Sequence, residues 1–119
     1  MSESKGIKSD LIPKIATGFC GGVSHTDGMC GAISGGILAI NMINGESQNS
    51  DQRDNNSSNV QQLVKTFNDK FNSTQCYILT DCDLRTLKGQ SDYKSKNKKK
   101  LCDDFVYVAT QLTLDLIER

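Results

Sequence analysis

Along this chain of 119 residues the apolar side chains recur at spacings of three and four, and little in it follows the alternation of a strand. Leu11, Ile12 and Ile15 predict a short first helix, with Pro13 tolerable in its first turn. A glycine-rich loop from Gly18 to Gly28 leads into a second helix, predicted over about Met29 to Ile43. Inside that helix Gly31, Gly35 and Gly36 each cost up to about 1 kcal/mol relative to alanine, so something must offset them. Gly31, Gly35 and Ala39 recur every four positions, as do Ala32 and Gly36, giving a smooth face that another backbone can approach closely. Asn44-Gly45 predicts a left-handed cap.

The polar stretch 46–59 reads as a flexible surface loop. Ser57 or Ser58 is then the expected cap of a third helix, whose Val60, Leu63, Val64, Phe67 and Phe71 fit one face. A short segment around Cys76 to Leu87 and a lysine-rich flexible loop, 88–98, precede a last helix over about Lys99 to Glu118. That helix carries Leu101, Phe105, Val108, Ala109, Leu112 and Leu116 on one side. The pattern predicts an all-α fold: a small bundle of about four helices, with a glycine-rich loop before the second, forming one domain over 1–119.

Composition sharpens this. The apolar fraction is 36% with no Trp, so the core is small and a homodimer would be an unsurprising way to add stability. Lys plus Arg and Asp plus Glu both number 14, which gives no general case for nucleic acid as a partner. The run Lys94, Lys96, Lys98, Lys99 and Lys100 reads as a solvated loop. Met1 to Asp10 is polar, without the apolar core of a secretory signal. The longest mostly apolar stretch, Ala32 to Ile43, has 12 residues. A bilayer span needs about 20, so no membrane insertion is expected, and the protein is expected to be soluble and cytoplasmic. Five cysteines in that reducing setting point away from a disulfide scaffold and toward redox, catalytic or metal roles.

Cys30 stands where the glycine loop runs into a helix, with Asp27 the candidate cap. Unpaired N–H groups and the partial positive charge of a first turn favour a thiolate, so a depressed pKa is expected. A small buried hydrophobe fits the same position, since free Cys is among the most buried residue types. Cys20 lies ten residues earlier, where a turn can bring it back toward Cys30. Cys76 follows the third helix, and Cys102 near the start of the last is a second candidate for activation by a helix dipole. Cys82, between Asp81 and Asp83, is expected to be the least reactive. There is no Cys-x-x-Cys, and intervening lengths of 9, 45, 5 and 19 residues fit no standard metal spacing, though distant helices can still assemble a site. His25, the single histidine, reads as an exposed loop residue near Cys20 and Cys30.

The run Ile15-Ala-Thr-Gly-Phe-Cys-Gly-Gly, followed by Gly28-Met-Cys-Gly-Ala-Ile-Ser-Gly35, resembles the redox-active proteins named for their C_GCAxxG_C_C cysteine pattern. Phe71, Cys76 and Leu79, then Cys102 with Phe105 and Val106, follow in the order that family shows, and the similarity covers about Ile12 to Ile117. By position, Cys30, Cys76 and Cys102 match three of the family's four cysteines. The fourth normally lies in an N-terminal helix, and the expectation from the resemblance is that this chain begins too late to contain it. Cys20 stands where the family usually has glycine, and the expectation is that it substitutes in space for the missing cysteine.

The resemblance implies redox chemistry without naming a substrate. The leading reading is a thiol-dependent oxidoreductase or electron-transfer protein: Cys30 attacks or is oxidised, Cys76, Cys102 or Cys20 resolves it, and a redox partner protein is unidentified. A second is a module holding a metal or iron–sulfur cluster on Cys20, Cys30, Cys76 and Cys102, so the cofactor is either none or such a group. A third is a non-catalytic interaction protein that keeps the bundle. No Ser-His-Asp set, phosphate loop or paired carboxylates point to an ordinary polar active site.

Overall fold

The computed structural model describes residues 9–45 and 48–118. Among them the chain forms six right-handed α-helices: α1 (Leu11–Ile15), α2 (Gly31–Asn44), α3 (Ser50–Phe71), α4 (Cys76–Thr80), α5 (Leu87–Ser95) and α6 (Lys99–Ile117). The fold is all-α, as the apolar spacing predicts, with two more helices than expected.

The three long helices make the core. Ile33 and Ile40 of α2, Leu63 and Phe67 of α3, and Phe105, Ala109 and Leu116 of α6 are buried together. Spacings of four on α3 and of four and seven on α6 put these residues on one face of each helix. Phe67, Phe71 and Phe105 pack their rings at centroid distances of 4.8, 4.9 and 6.0 Å, tilted or edge to face, and close one end of the core. The glycines of α2 have different surroundings. A Cβ on Gly36 would stand 2.6 Å from Thr113 Oγ1 and 2.8 Å from Leu63 Cδ2, so its absence lets α2 sit close to α6 and α3 at once. A Cβ on Gly35 would meet nothing within 4 Å. The close-approach role predicted for the whole stripe therefore does not extend to Gly35.

Three expectations about loops and caps need correction. Most of 46–59 is the first half of α3; residues 46 and 47 lie outside the described residues. Asn49 is the cap, accepting from the Gln52 N–H at 3.0 Å, and Ser57 and Ser58 are interior. Once the apolar half of α3 is fixed by packing, each further residue adds a hydrogen bond without a new nucleus, so a polar stretch can continue the helix. Asn56 Nδ2 also donates to Asn41 Oδ1 of α2 at 2.8 Å. The second correction concerns 88–98. It is largely α5, capped by Thr86, whose Oγ1 accepts from the Gly89 N–H at 2.9 Å, and only 96–98 form a turn. Thirdly, Gly45 ends α2 in extended backbone (φ −67°, ψ 143°) and not in a left-handed cap. Among the described residues no helix is long and apolar enough to cross a membrane.

The contrast between neighbouring glycines is testable by urea denaturation. Gly36→Ala should destabilise by about 1–3 kcal/mol through overpacking. Gly35→Ala should be neutral or stabilising by up to about 1 kcal/mol, because helix propensity improves and nothing is displaced.

Candidate functional site

A short backbone clip organises the cysteines. Met29 pairs with Gln75 in an isolated antiparallel bridge, the Cys30 N–H donates to the Thr74 carbonyl at 2.7 Å, and the Cys76 N–H donates to the Gly28 carbonyl at 3.1 Å. The start of α2 is thus fastened to the start of α4, and Cys30 and Cys76 emerge on either side of one bridge. Asp27 serves α4 rather than α2. Its carboxylate accepts from the Tyr77 N–H at 3.1 Å and from Gln75 Nε2 at 3.3 Å, while Cys30 itself occupies the N-cap place of α2.

Before the clip, the segment Gly21–His25 winds in the left-handed sense, with φ of +67° at Gly21, +69° at Gly22, +59° at Val23 and +54° at Ser24. Glycine takes this hand freely, but a β-branched residue such as Val23 is strained there by about 1–2 kcal/mol. The surroundings hold it: the Gly22 carbonyl accepts from Gly28 N–H at 2.8 Å, and Ser24 Oγ donates to the Gly18 carbonyl at 2.9 Å. A Cβ on Gly22 would fall 2.5 Å from the Cβ of Cys76, so only glycine lets the turn lie on that cysteine. The turn sets Cys20 at the edge of the same space.

That space is a cavity of about 560 Å³, and Cys20, Cys30, Cys76 and Cys102 all line it. Four cysteines from four separate segments therefore face one volume, and all five in the chain are free thiols. Cys20 is exposed, Cys30 and Cys102 are half-buried, and Cys76 is buried. Cys82 is apart. It is buried at 2% exposure, and its N–H donates to Thr80 Oγ1 at 3.2 Å, which in turn donates to the Cys76 carbonyl at 2.8 Å. His25 is exposed and borders the cavity. Among the described residues, no three His, Cys, Asp or Glu side chains are grouped so as to hold one metal ion.

Tyr93 is the residue that sequence reasoning missed. From α5 its hydroxyl donates to Cys102 Sγ at 3.2 Å, and its ring borders the cavity. It lies in a stretch that reads as a loop. The one available signal was the Thr86 cap, which starts the helix that carries it.

The expected depression of the Cys30 pKa is overturned: burial pushes the thiol up. The N–H groups of Ala32 and Ile33 at the start of α2 do pull it down, but by less than the loss of water pushes it the other way. The neighbouring Cys102 adds to the rise. Cys76 goes from the ordinary 9.0 to about 11, chiefly by burial, then by the proximity of Cys102, Cys30 and Asp27, with the Thr80 hydrogen bond opposing. Tyr93 is likewise pushed up, by burial first, then by its bond to Cys102, so it remains a proton donor through the physiological range. Burial therefore favours the protonated thiol at Cys30 and Cys76.

This has a measurable consequence at Cys76. At pH 8 its thiolate fraction is about a hundredfold below that of an unperturbed cysteine, so iodoacetamide should label it at least that much more slowly than a cysteine in the unfolded chain. Labelling should accelerate as pH rises toward about 11. Because the folded state prefers the protonated thiol, the stability this contributes is complete below pH 9.0 and is lost as pH rises through about 11. Denaturant midpoints measured across that window should fall in the wild type and fall less in Cys76→Ser.

Comparison with curated proteins and with solved structures found no match. Comparison with family models did: the model described as "Putative redox-active protein (C_GCAxxG_C_C)" matches residues 1–116. The glycine-flanked Cys30 and the later Cys76 and Cys102, whose order pointed to this pattern, are also the residues that converge on the cavity. The chain belongs to the C_GCAxxG_C_C family.

Proposed function

We propose that this chain is a thiol redox protein in which two of the four cavity cysteines, Cys20, Cys30, Cys76 and Cys102, join as a disulfide and are reduced again. The observation that carries this reading is the convergence of four free thiols from four chain segments on one cavity. When the S–S bond forms, two thiols release two protons and two electrons to an acceptor, and the reverse reaction takes them back. Membership of a family described as "Putative redox-active protein" supports the same chemistry.

The roles within the set follow from exposure. Cys20 is the accessible sulfur, and it is assigned the first contact with a partner on that ground. Cys30, Cys76 and Cys102 are less exposed and line the same cavity. The Tyr93 hydroxyl is oriented to return a proton to Cys102 when a disulfide involving that sulfur opens.

Mass mapping of disulfides in oxidised and reduced protein, with and without chelator, tests the proposal. Oxidation should remove two thiols per chain from among these four and leave Cys82 free. Cys20→Ser should change the oxidised state or the number of thiols lost; an oxidised state identical to wild type would show that Cys20 is dispensable. Iron or zinc near one equivalent in anaerobically purified protein would favour the ligand role for the same cysteines. Tyr93→Phe should leave the disulfide pattern intact and slow its reductive opening by about tenfold or more, with the deficit greatest at high pH.

A further inference from the structure

The lining of the cavity narrows what the electron acceptor is. Phe19, Leu79, Leu84, Phe105 and Val106 give it walls mainly of carbon, and among the described lining residues there is no carboxylate. About 560 Å³ is the size of an ordinary small-molecule site. Gly35, on the wall, leaves room where a side chain would intrude, since a Cβ there meets nothing within 4 Å. Resting on the redox reading above, we propose that the cavity takes a neutral acceptor of the quinone class and reduces it to the hydroquinone as two of the facing cysteines join.

Charge decides between acceptor classes. A charged peptide disulfide such as oxidised glutathione would have to strip water from carboxylates and ammonium groups against these carbon walls, which is unfavourable. Lys94, the lysine on the lining, is exposed and can keep its ammonium in water. A quinone and its hydroquinone are both uncharged, so neither end of the reaction places a charge in the cavity. The protonation of the thiols fits as well. Cys30 and Cys76 hold their protons, so each electron leaves with a proton, and a quinone accepts two of each.

The sulfur of one cysteine adds to a carbonyl carbon of the quinone, and its proton passes to that oxygen, giving a neutral adduct. The second cysteine's sulfur attacks the first, the S–S bond forms, and the S–C bond breaks with its electron pair returning to the ring. The second thiol proton ends on the other oxygen. Two sulfurs have each lost one electron, and the quinone has gained two electrons and two protons.

The test uses fully reduced, full-length protein without oxygen and three oxidants: tetramethyl-1,4-benzoquinone, oxidised glutathione and hydrogen peroxide. Each rate is divided by that of dithiothreitol with the same oxidant, with hydroquinone read by absorbance and lost thiols by mass. The normalised quinone rate should exceed the glutathione rate by about tenfold or more. One hydroquinone should appear for every two thiols lost. Gly35→Leu, which puts a bulky side chain on the cavity wall, should lose most of the quinone rate while peroxide oxidation and helical circular dichroism persist. Equal or reversed normalised rates, or a Gly35→Leu protein that reacts with quinone like wild type, overturn the acceptor and leave the thiol chemistry standing. A protein in which none of the three oxidants forms a disulfide overturns both.

Discussion

Two backbone hydrogen bonds between Gly28–Cys30 and Thr74–Cys76 hold the site together. They join the residues before α2 to the residues before α4, across a sequence separation that includes all of α2 and α3. Without them the two deep cysteines would belong to unrelated helix starts. With them, the carbonyl of Gly28 and the amide of Cys30 are committed to the clip, and the loop ahead must turn back in the left-handed sense over Cys76. Asp27 adds to the same junction by capping α4. The three-helix core supplies rigidity, and the clip decides what that rigidity presents.

The balance of forces at Cys30 shows how a local rule can be right in sign and wrong in outcome. The helix start does offer N–H groups that favour a thiolate, as the sequence position implies. Burial works against them and is the larger effect. A helix terminus activates a cysteine when water also reaches it, and here the clip and the glycine turn keep much of it away. Of the four sulfurs that line the cavity, the exposed one is Cys20 at the rim.

The parts of the fold legible in the sequence are those where apolar residues repeat along a helix. α2, the second half of α3 and α6 announce themselves through Ile33 and Ile40, Leu63 and Phe67, and Phe105, Ala109 and Leu116. The first half of α3 and all of α5 carry no such repeat. Their signals are single capping side chains, Asn49 and Thr86, set in polar stretches that read more naturally as loops. Of the site, Cys30, Cys76 and Cys102 were legible through their order and their glycine and phenylalanine neighbours, and Cys20 through its nearness to Cys30. Tyr93 was not, because its bond to Cys102 is made across space between two helices and leaves no trace in local pattern.

The left-handed turn sets stability and chemistry at odds. Val23 holds a backbone conformation that glycine or asparagine would hold with less strain, so the most stable sequence at this position is not the one present. Glycine there would also widen the range of conformations open to Cys20, the sulfur at the rim. The turn thus carries a standing cost at Val23, met by the hydrogen bonds that its neighbours Gly22 and Ser24 make, and the place of the rim thiol is fixed at the expense of local stability.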